Sequence, residues 1–242
     1  MKKNFFVITL ILCALAVMTV SCNGDKKDKE NPEPVSWSPE PGEGGTLPVA
    51  VLPAYLEDAV EEYFTVNTGE DPVIIDLGQF VSHPHVLIHS TIADDTVSVY
   101  NDRYIAFVGN GDLTDFYGKQ WDDAKQDFYY EAYRRLYVIG TGENFTCYYL
   151  TEGYPNGMYA KQSTVFSGKW EESYGGLRDF QVAVILLETS GNPNLAPAGS
   201  FRVLGDGDGL AANNNWMGSK RAAFEEDIQV SAEEAFSMFR VR

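Results

Sequence analysis

Cysteine and histidine are scarce in this chain, and their scarcity removes several kinds of site. Three cysteines occur, at positions 13, 22 and 147. The first lies in the apolar leader and the second directly follows it, so Cys147 is left without a partner and no intramolecular disulfide is expected. All three histidines fall within residues 83–89. Any Ser–His–Asp triad would have to use one of these clustered histidines, so the sequence predicts no triad.

Basic residues are also few, which excludes two classes of partner. The chain has 18 Lys and Arg against 35 Asp and Glu, a net charge of −17. Nucleic acid binding needs a basic surface that displaces counterions, so nucleic acid is not expected as a partner. Adsorption to anionic lipid headgroups is disfavoured for the same reason. Membrane attachment would therefore require a covalent anchor.

A long apolar run is missing as well. The uncharged stretch Phe5–Val20 is too short to favour a stable membrane span, which takes about 20 residues. Two lysines precede it, and a polar, mixed-charge segment follows. This pattern is typical of a secretory signal.

The end of this leader resembles the lipobox of bacterial lipoproteins, in which the signal is cut immediately before a cysteine that carries acyl chains. Here Ser21 directly precedes Cys22. The usual pattern has an aliphatic residue three before the cysteine and a small one two before, whereas this chain has Thr19 and Val20. The resemblance implies a signal peptide over residues 1–21 and lipidation of Cys22. An ordinary signal peptide and an uncleaved anchor helix are the alternatives.

The segment after the leader is predicted to be a disordered tether. Residues 22–45 contain four prolines and end in a glycine-rich run, without apolar periodicity. As a flexible coil this segment would span about 26 Å. Its charged start resembles the export signals of surface lipoproteins, which favours the cell surface over the periplasmic side of the outer membrane. The tether would hold the domain clear of the membrane.

Residues 46–242 are predicted to form one mainly β domain. Apolar residues recur at helical spacing over residues 55–64, which predicts one short helix. Most other apolar runs are β-branched or aromatic and are separated by Gly, Asn, Asp or Pro turns. Such strands in succession favour an antiparallel β-sandwich or barrel-like meander with one or two short helices. A subdivision near residues 110–122 is the alternative to a single domain.

Residues 122–137 fit two structures. Ala124, Phe128, Ala132 and Leu136 recur every four residues, which indicates a helix capped by Asp122. The aromatic density of the same stretch suits a strand equally well. We predict a helix in its first half that runs into a strand at residues 136–139.

Two clusters could bind a metal ion. His83, His85 and His89 share a face of a strand, but the first and last would lie about 20 Å apart, too far for one zinc ion. Asp206 and Asp208, in a glycine-rich run, are the candidate calcium ligands. The EF-hand spacing fails there, and an acidic turn is the alternative explanation. No other cofactor is expected.

The aromatic side chains are the most suggestive candidates for ligand binding. The chain has 14 Tyr, 14 Phe and 4 Trp. Most are expected to fill a β core, but a ring beside a turn could stack on a sugar. Tyr154, Trp170 and Trp216 have such positions and are the predicted ligand residues. Cys147 lies in a strand-like run and is expected to pack as a small buried side chain.

Four segments resemble uncharacterised cell-envelope lipoproteins of glycan-foraging Gram-negative bacteria. They are Phe166-Ser167-Gly168-Lys169-Trp170, residues 176–181, residues 197–202 and residues 208–211. The resemblance implies capture of a glycan or host protein at the cell surface, and it assigns no site residue. The first hypothesis is therefore non-catalytic glycan binding. A structural subunit that packs against another envelope protein is the alternative, and a glycosidase-like enzyme is the third.

Overall fold

The structure is a computed structural model that describes residues 32–72, 78–93, 95–110, 113–173, 175–217 and 231–240. The predicted signal peptide and the predicted lipidation site Cys22 lie outside the described residues. Within the described ranges, no helix is both long and apolar enough to cross a membrane.

The described residues form fourteen strands, two short α-helices and two single 3-10 turns at Pro155–Gly157 and Ser237–Phe239. The first part of the chain contains β1 (Val35–Trp37), α1 (Ala54–Glu61), β2 (Glu70–Pro72), β3 (Gly78–Ser82), β4 (His85–Ser90), β5 (Val99–Tyr100), β6 (Arg103–Asn110) and β7 (Leu113–Asp122). The second part contains β8 (Asp127–Leu136), β9 (Val138–Gly142), β10 (Asn144–Gly153), β11 (Ala160–Glu171), β12 (Gly176–Glu188), β13 (Phe201–Asp206), β14 (Leu210–Asn213) and α2 (Ala232–Ala235).

All of these strands belong to one large sheet. Its main path runs β2-β9-β10-β11-β12-β14-β3-β6-β7-β8, and β13 pairs with both β12 and β4. The pairs are antiparallel apart from β2 with β9, which is parallel. The prediction of a mainly β, sandwich-like fold with short helices is confirmed, and the parallel pair makes the sheet mixed.

The principal core lies between strands β6–β8 and strands β10–β12. Phe116 of β7 stacks on Phe166 of β11 with ring centroids 4.4 Å apart, and Tyr133 of β8 stacks on Tyr149 of β10 at 3.8 Å. Each buried ring of this size contributes about 1.5–3 kcal/mol to stability. Cys147 lies in the same core and is fully buried, as expected from its sequence.

A second core covers the opposite face of β10–β13. Side chains alternate along β12, so that Val182 and Val184 face the principal core while Ala183 and Ile185 face the second. Helix α1 covers this second face with Leu56 and Val60. Strands β10–β12 are therefore buried on both faces.

Two predictions about local structure are wrong. Residues 127–136 form strand β8 instead of a helix, because they pair along nearly their whole length with β7. Asp122 does accept the backbone N–H groups of Ala124 and Lys125, but it closes the β7–β8 turn. In the predicted tether, Val35–Trp37 is ordered as β1 and pairs with β10.

Candidate functional site

One face of the sheet carries a row of side chains that crosses five strands. Ala212 of β14 pairs with Val81 of β3, which pairs with Tyr104 of β6. Tyr104 pairs with Lys119 of β7, and Lys119 pairs with Tyr130 of β8. Directly paired residues lie on the same face of a sheet. This row therefore lies on the face opposite the principal core, which is lined by the neighbouring residues of each strand.

Further aromatic rings lie beside this row, and we call the whole set the aromatic face: Tyr104, Trp121, Phe128, Tyr130 and Trp216. Trp121 and Phe128 are paired across β7 and β8, with ring centroids 5.2 Å apart. Trp216 packs edge-on against Tyr104 at 6.2 Å, and its Nε1 donates to the carbonyl oxygen of Ile105 at 3.1 Å. These contacts fix several half-buried rings on one surface.

Lys119 holds three rings of the aromatic face around its ammonium group. Its Nζ lies 4.7 Å from the ring centroids of Tyr104 and Phe128 and 5.1 Å from that of Trp216. Partial burial lowers the pKa of Lys119 from its usual value. An ammonium over aromatic ring faces is attracted by their negative potential. Lys119 thus fixes the orientation of these rings, while Trp121 and Tyr130 extend the face beyond it.

A groove of about 290 Å³ adjoins the aromatic face at Tyr104, and we call it the Tyr104 groove. Its floor is formed by apolar side chains of β3 and β14. Its polar lining comes from His83, Asp102, Asp208 and Asn214. His83, Asp102 and Asp208 come together because they lie just beyond the ends of β3, β6 and β14, which are neighbours in the sheet, and Asn214 directly follows β14. The groove therefore combines one aromatic wall with groups that can bond hydroxyls.

His83 and Asp102 form the closest polar pair in the groove. His83 Nδ1 lies 2.5 Å from Asp102 Oδ1. The hydrogen bond with Asp102, followed by the charge of that carboxylate, raises the pKa of His83. The His83 side chain is 69% exposed, so it remains accessible to a ligand. The pair can present both a donor and an acceptor to a bound molecule.

The structure explains the predicted calcium ligands as turn residues. Asp206 accepts the backbone N–H of His83 at 3.0 Å and that of Leu210 at 2.9 Å, and Asp208 accepts the same Leu210 N–H at 3.1 Å. Burial, followed by its hydrogen bond with Asp208, raises the pKa of Asp206. Among the described residues there is no group of three or more His, Cys, Asp or Glu side chains that could hold a metal ion.

Of the predicted ligand aromatics, the structure brings only Trp216 to this site. Trp170 packs against the principal core, where its ring meets Phe80 edge-on at 5.8 Å. Tyr154 is 39% exposed, follows β10, and meets the ring of Tyr159. In the part of the chain that the structure describes, neither Trp170 nor Tyr154 lines the Tyr104 groove.

The clustered histidines have three different environments. His85 is buried and its Nδ1 lies 3.0 Å from Ser82 Oγ. Burial, followed by the charge of Arg103, lowers the pKa of His85 to about 3. His89 stacks on Tyr63 with ring centroids 3.8 Å apart. Only His83 therefore contributes to the groove.

Sequence reasoning missed Tyr104, Lys119, Phe128 and Tyr130 as site residues. No local pattern marks Tyr104, because β6 is a mostly apolar run in which Ile105, Ala106 and Phe107 are all buried. Comparison with protein-family models, with curated proteins and with solved structures finds no match to this chain.

Proposed function

We propose that this protein is a lipid-anchored protein of the bacterial cell envelope that binds an extracellular glycan without transforming it. The ligand lies along the aromatic face and enters the Tyr104 groove. One observation carries this proposal, namely that the partly exposed rings of the aromatic face adjoin the polar Tyr104 groove. An aromatic surface beside a polar groove suits a sugar, because the C–H face of a sugar stacks on aromatic rings and its hydroxyls form hydrogen bonds with carboxylates and amides.

The polar groups of the groove suit hydroxyl recognition. Asp208 and Asn214 supply acceptors and an amide donor, and the His83–Asp102 pair supplies both roles. Tyr130 is 37% exposed at the far end of the row, so an extended ligand would contact both regions. The proposed location is the cell surface, on the outer membrane, with Cys22 as the lipidated residue. It is based on the sequence pattern of residues 1–22 and the charged segment that follows.

The test is a glycan array followed by calorimetry on the purified protein. Tyr130→Ala should weaken binding about tenfold, because a stacked ring contributes about 1.4 kcal/mol. Asp102→Asn should also weaken binding, because it removes one of the two carboxylate acceptors that line the groove. Tyr154→Ala is the matched control, an exposed tyrosine outside the groove, and should bind like the wild type.

Three outcomes would refute the proposal. The first is a protein that binds no glycan but co-purifies with a stoichiometric envelope partner, which would favour a structural role. The second is turnover of a labelled polysaccharide, which would favour an enzyme. The third concerns the anchor. Mass spectrometry of the membrane fraction should find acyl chains on Cys22, and an intact chain with an unmodified Cys22 would contradict lipidation.

A further inference from the structure

A small cavity lies inside the principal core, on the opposite side of the sheet from the aromatic face. Its volume is about 30 Å³, and Arg103, Glu131 and Gln162 are among its walls. Arg103 points inward because its neighbour Tyr104 points outward along β6. The C-terminal segment, residues 231–240, closes the cavity, and Gln162 Nε2 donates to the carbonyl oxygen of Ala235 at 2.8 Å.

An ion pair forms one wall of this cavity. Arg103 Nη2 donates to Glu131 Oε2 at 2.5 Å, and Nη1 donates to Tyr129 Oη at 3.1 Å. Tyr129 in turn donates to Glu131 Oε1 at 3.1 Å. Burial disfavours the charge on Arg103, but Glu131 and the nearby tyrosines outweigh this effect and raise the pKa of Arg103. The guanidinium is charged and is balanced by one carboxylate.

The other titratable groups around the cavity leave it without excess charge. His85 is neutral at pH 7, because burial and then Arg103 lower its pKa to about 3. Burial raises the pKa values of Tyr133 and Tyr149, so both hydroxyls keep their protons. Glu234 pairs with Lys125. An occupant with a net charge would therefore have no counterion, which favours a neutral, dipolar molecule.

Two buried polar atoms of the cavity walls lack a hydrogen-bond partner among the described residues. They are Arg103 Nε, a donor, and Gln162 Oε1, an acceptor, on residues that are 6% and 3% exposed. Leaving such groups unpaired costs about 1–3 kcal/mol each. An occupant that both accepts and donates would satisfy the two atoms together. A water molecule needs about 10–15 Å³, so the cavity has room for about two.

We propose that this cavity is a built internal hydration site for one or two ordered water molecules. The water accepts from Arg103 Nε and donates to Gln162 Oε1. Because the amide of Gln162 also holds Ala235, the water links the Arg103–Glu131 pair to the C-terminal segment. This inference is independent of glycan binding on the opposite face.

The test is a crystal structure of the mature chain, with oxygen-17 relaxation dispersion to count long-lived waters in solution. We expect density for one or two waters within hydrogen-bond distance of both atoms. Gln162→Leu should lose one or two long-lived waters. Ser163→Ala is the matched control, because Ser163 Oγ is also buried without a partner among the described residues but does not line this cavity. In crystals of this variant, the density inside the cavity should equal that of the wild type.

Three results would overturn the proposal. One is a wild-type map without solvent density at this place, and another is a direct protein partner for Arg103 Nε and Gln162 Oε1. The third is an anomalous peak in the cavity after a bromide soak, which would show an anion site. If Gln162→Leu fails to fold, the wild-type map and the wild-type water count decide the question alone.

Discussion

His85 should make the protein less stable as the pH falls below neutrality. Its ring is 1% exposed, and burial followed by the charge of Arg103 lowers its pKa to about 3 from an ordinary value of 6.5. In the unfolded chain the ring takes up a proton below pH 6.5, whereas in the folded protein it stays neutral. Protonation therefore favours the unfolded state, and the loss of stability grows as the pH falls from 6.5 towards 3.

The expected magnitude follows from the difference between the two pKa values. Each pH unit below 6.5 costs about 1.4 kcal/mol, so at about pH 4.5 the loss is about 2.7 kcal/mol. His85→Asn removes the titrating ring and keeps a polar group beside Ser82. The stability of the wild type minus that of the variant should therefore be constant above pH 6.5 and should fall by this amount at about pH 4.5. Carboxylates titrate in both proteins and largely cancel from the difference.

Urea unfolding followed by tryptophan fluorescence, from about pH 8 to about pH 4.5, measures this difference. His83→Asn provides a control of opposite sign, because the hydrogen bond and charge of Asp102 raise the pKa of His83. The stabilisation that His83 gives the folded wild type should be complete below pH 6.5. It should be lost as the pH rises through the pKa of His83 in the folded protein. A wild-type minus His85→Asn difference that does not change between pH 7.5 and pH 4.5 would contradict the lowered pKa of His85 in the folded protein.

Two further substitutions test the buried ion pair and the lysine of the aromatic face. Glu131→Gln should lower the free energy of unfolding by about 3–5 kcal/mol, because it leaves the buried Arg103 without a charged partner. The control is Glu171→Gln, which removes the partner of the more exposed Arg178 and should cost at most about 1 kcal/mol. Equal losses for these two variants, measured by urea unfolding, would contradict the assigned burial. Lys119→Met should cost about 0.5–2 kcal/mol through loss of the cation–π contacts, and Lys169→Met, whose lysine pairs with an exposed glutamate, should cost less. A Lys119→Met variant as stable as the wild type would show that the ammonium does not stabilise the aromatic face.

Glycines and prolines between apolar runs were enough to predict the later strands. Residues 145–150, an aromatic-rich run, lie within β10, and residues 180–187, a run rich in β-branched residues, lie within β12. Both strands are rich in residues that favour β-structure, and they pair with close neighbours in sequence, so local preference and final pairing agree.

Residues 122–137 show where local reasoning fails. Their four-residue apolar spacing is compatible with a helix, but Phe128, Tyr130 and Ala132 instead pair with β7. Residues four apart lie on one face of a helix and also on one face of a strand, so the spacing alone fits both structures. Pairing with β7 therefore decides that this stretch is a strand. Strand β1 in the predicted tether is a similar case, since it pairs with β10 and Trp37 packs against the second core.

The low content of basic residues, the uncharged run at residues 5–20 and the β-branched and aromatic runs can be read from the sequence, because each depends only on residue types and their order. The surface that the aromatic residues share can be read only from the folded structure. Tyr104, Lys119 and Tyr130 meet because β6, β7 and β8 are neighbours in one register, whereas Trp170 turns towards the core. Register and strand order are set by packing between distant segments, so no local pattern contains them.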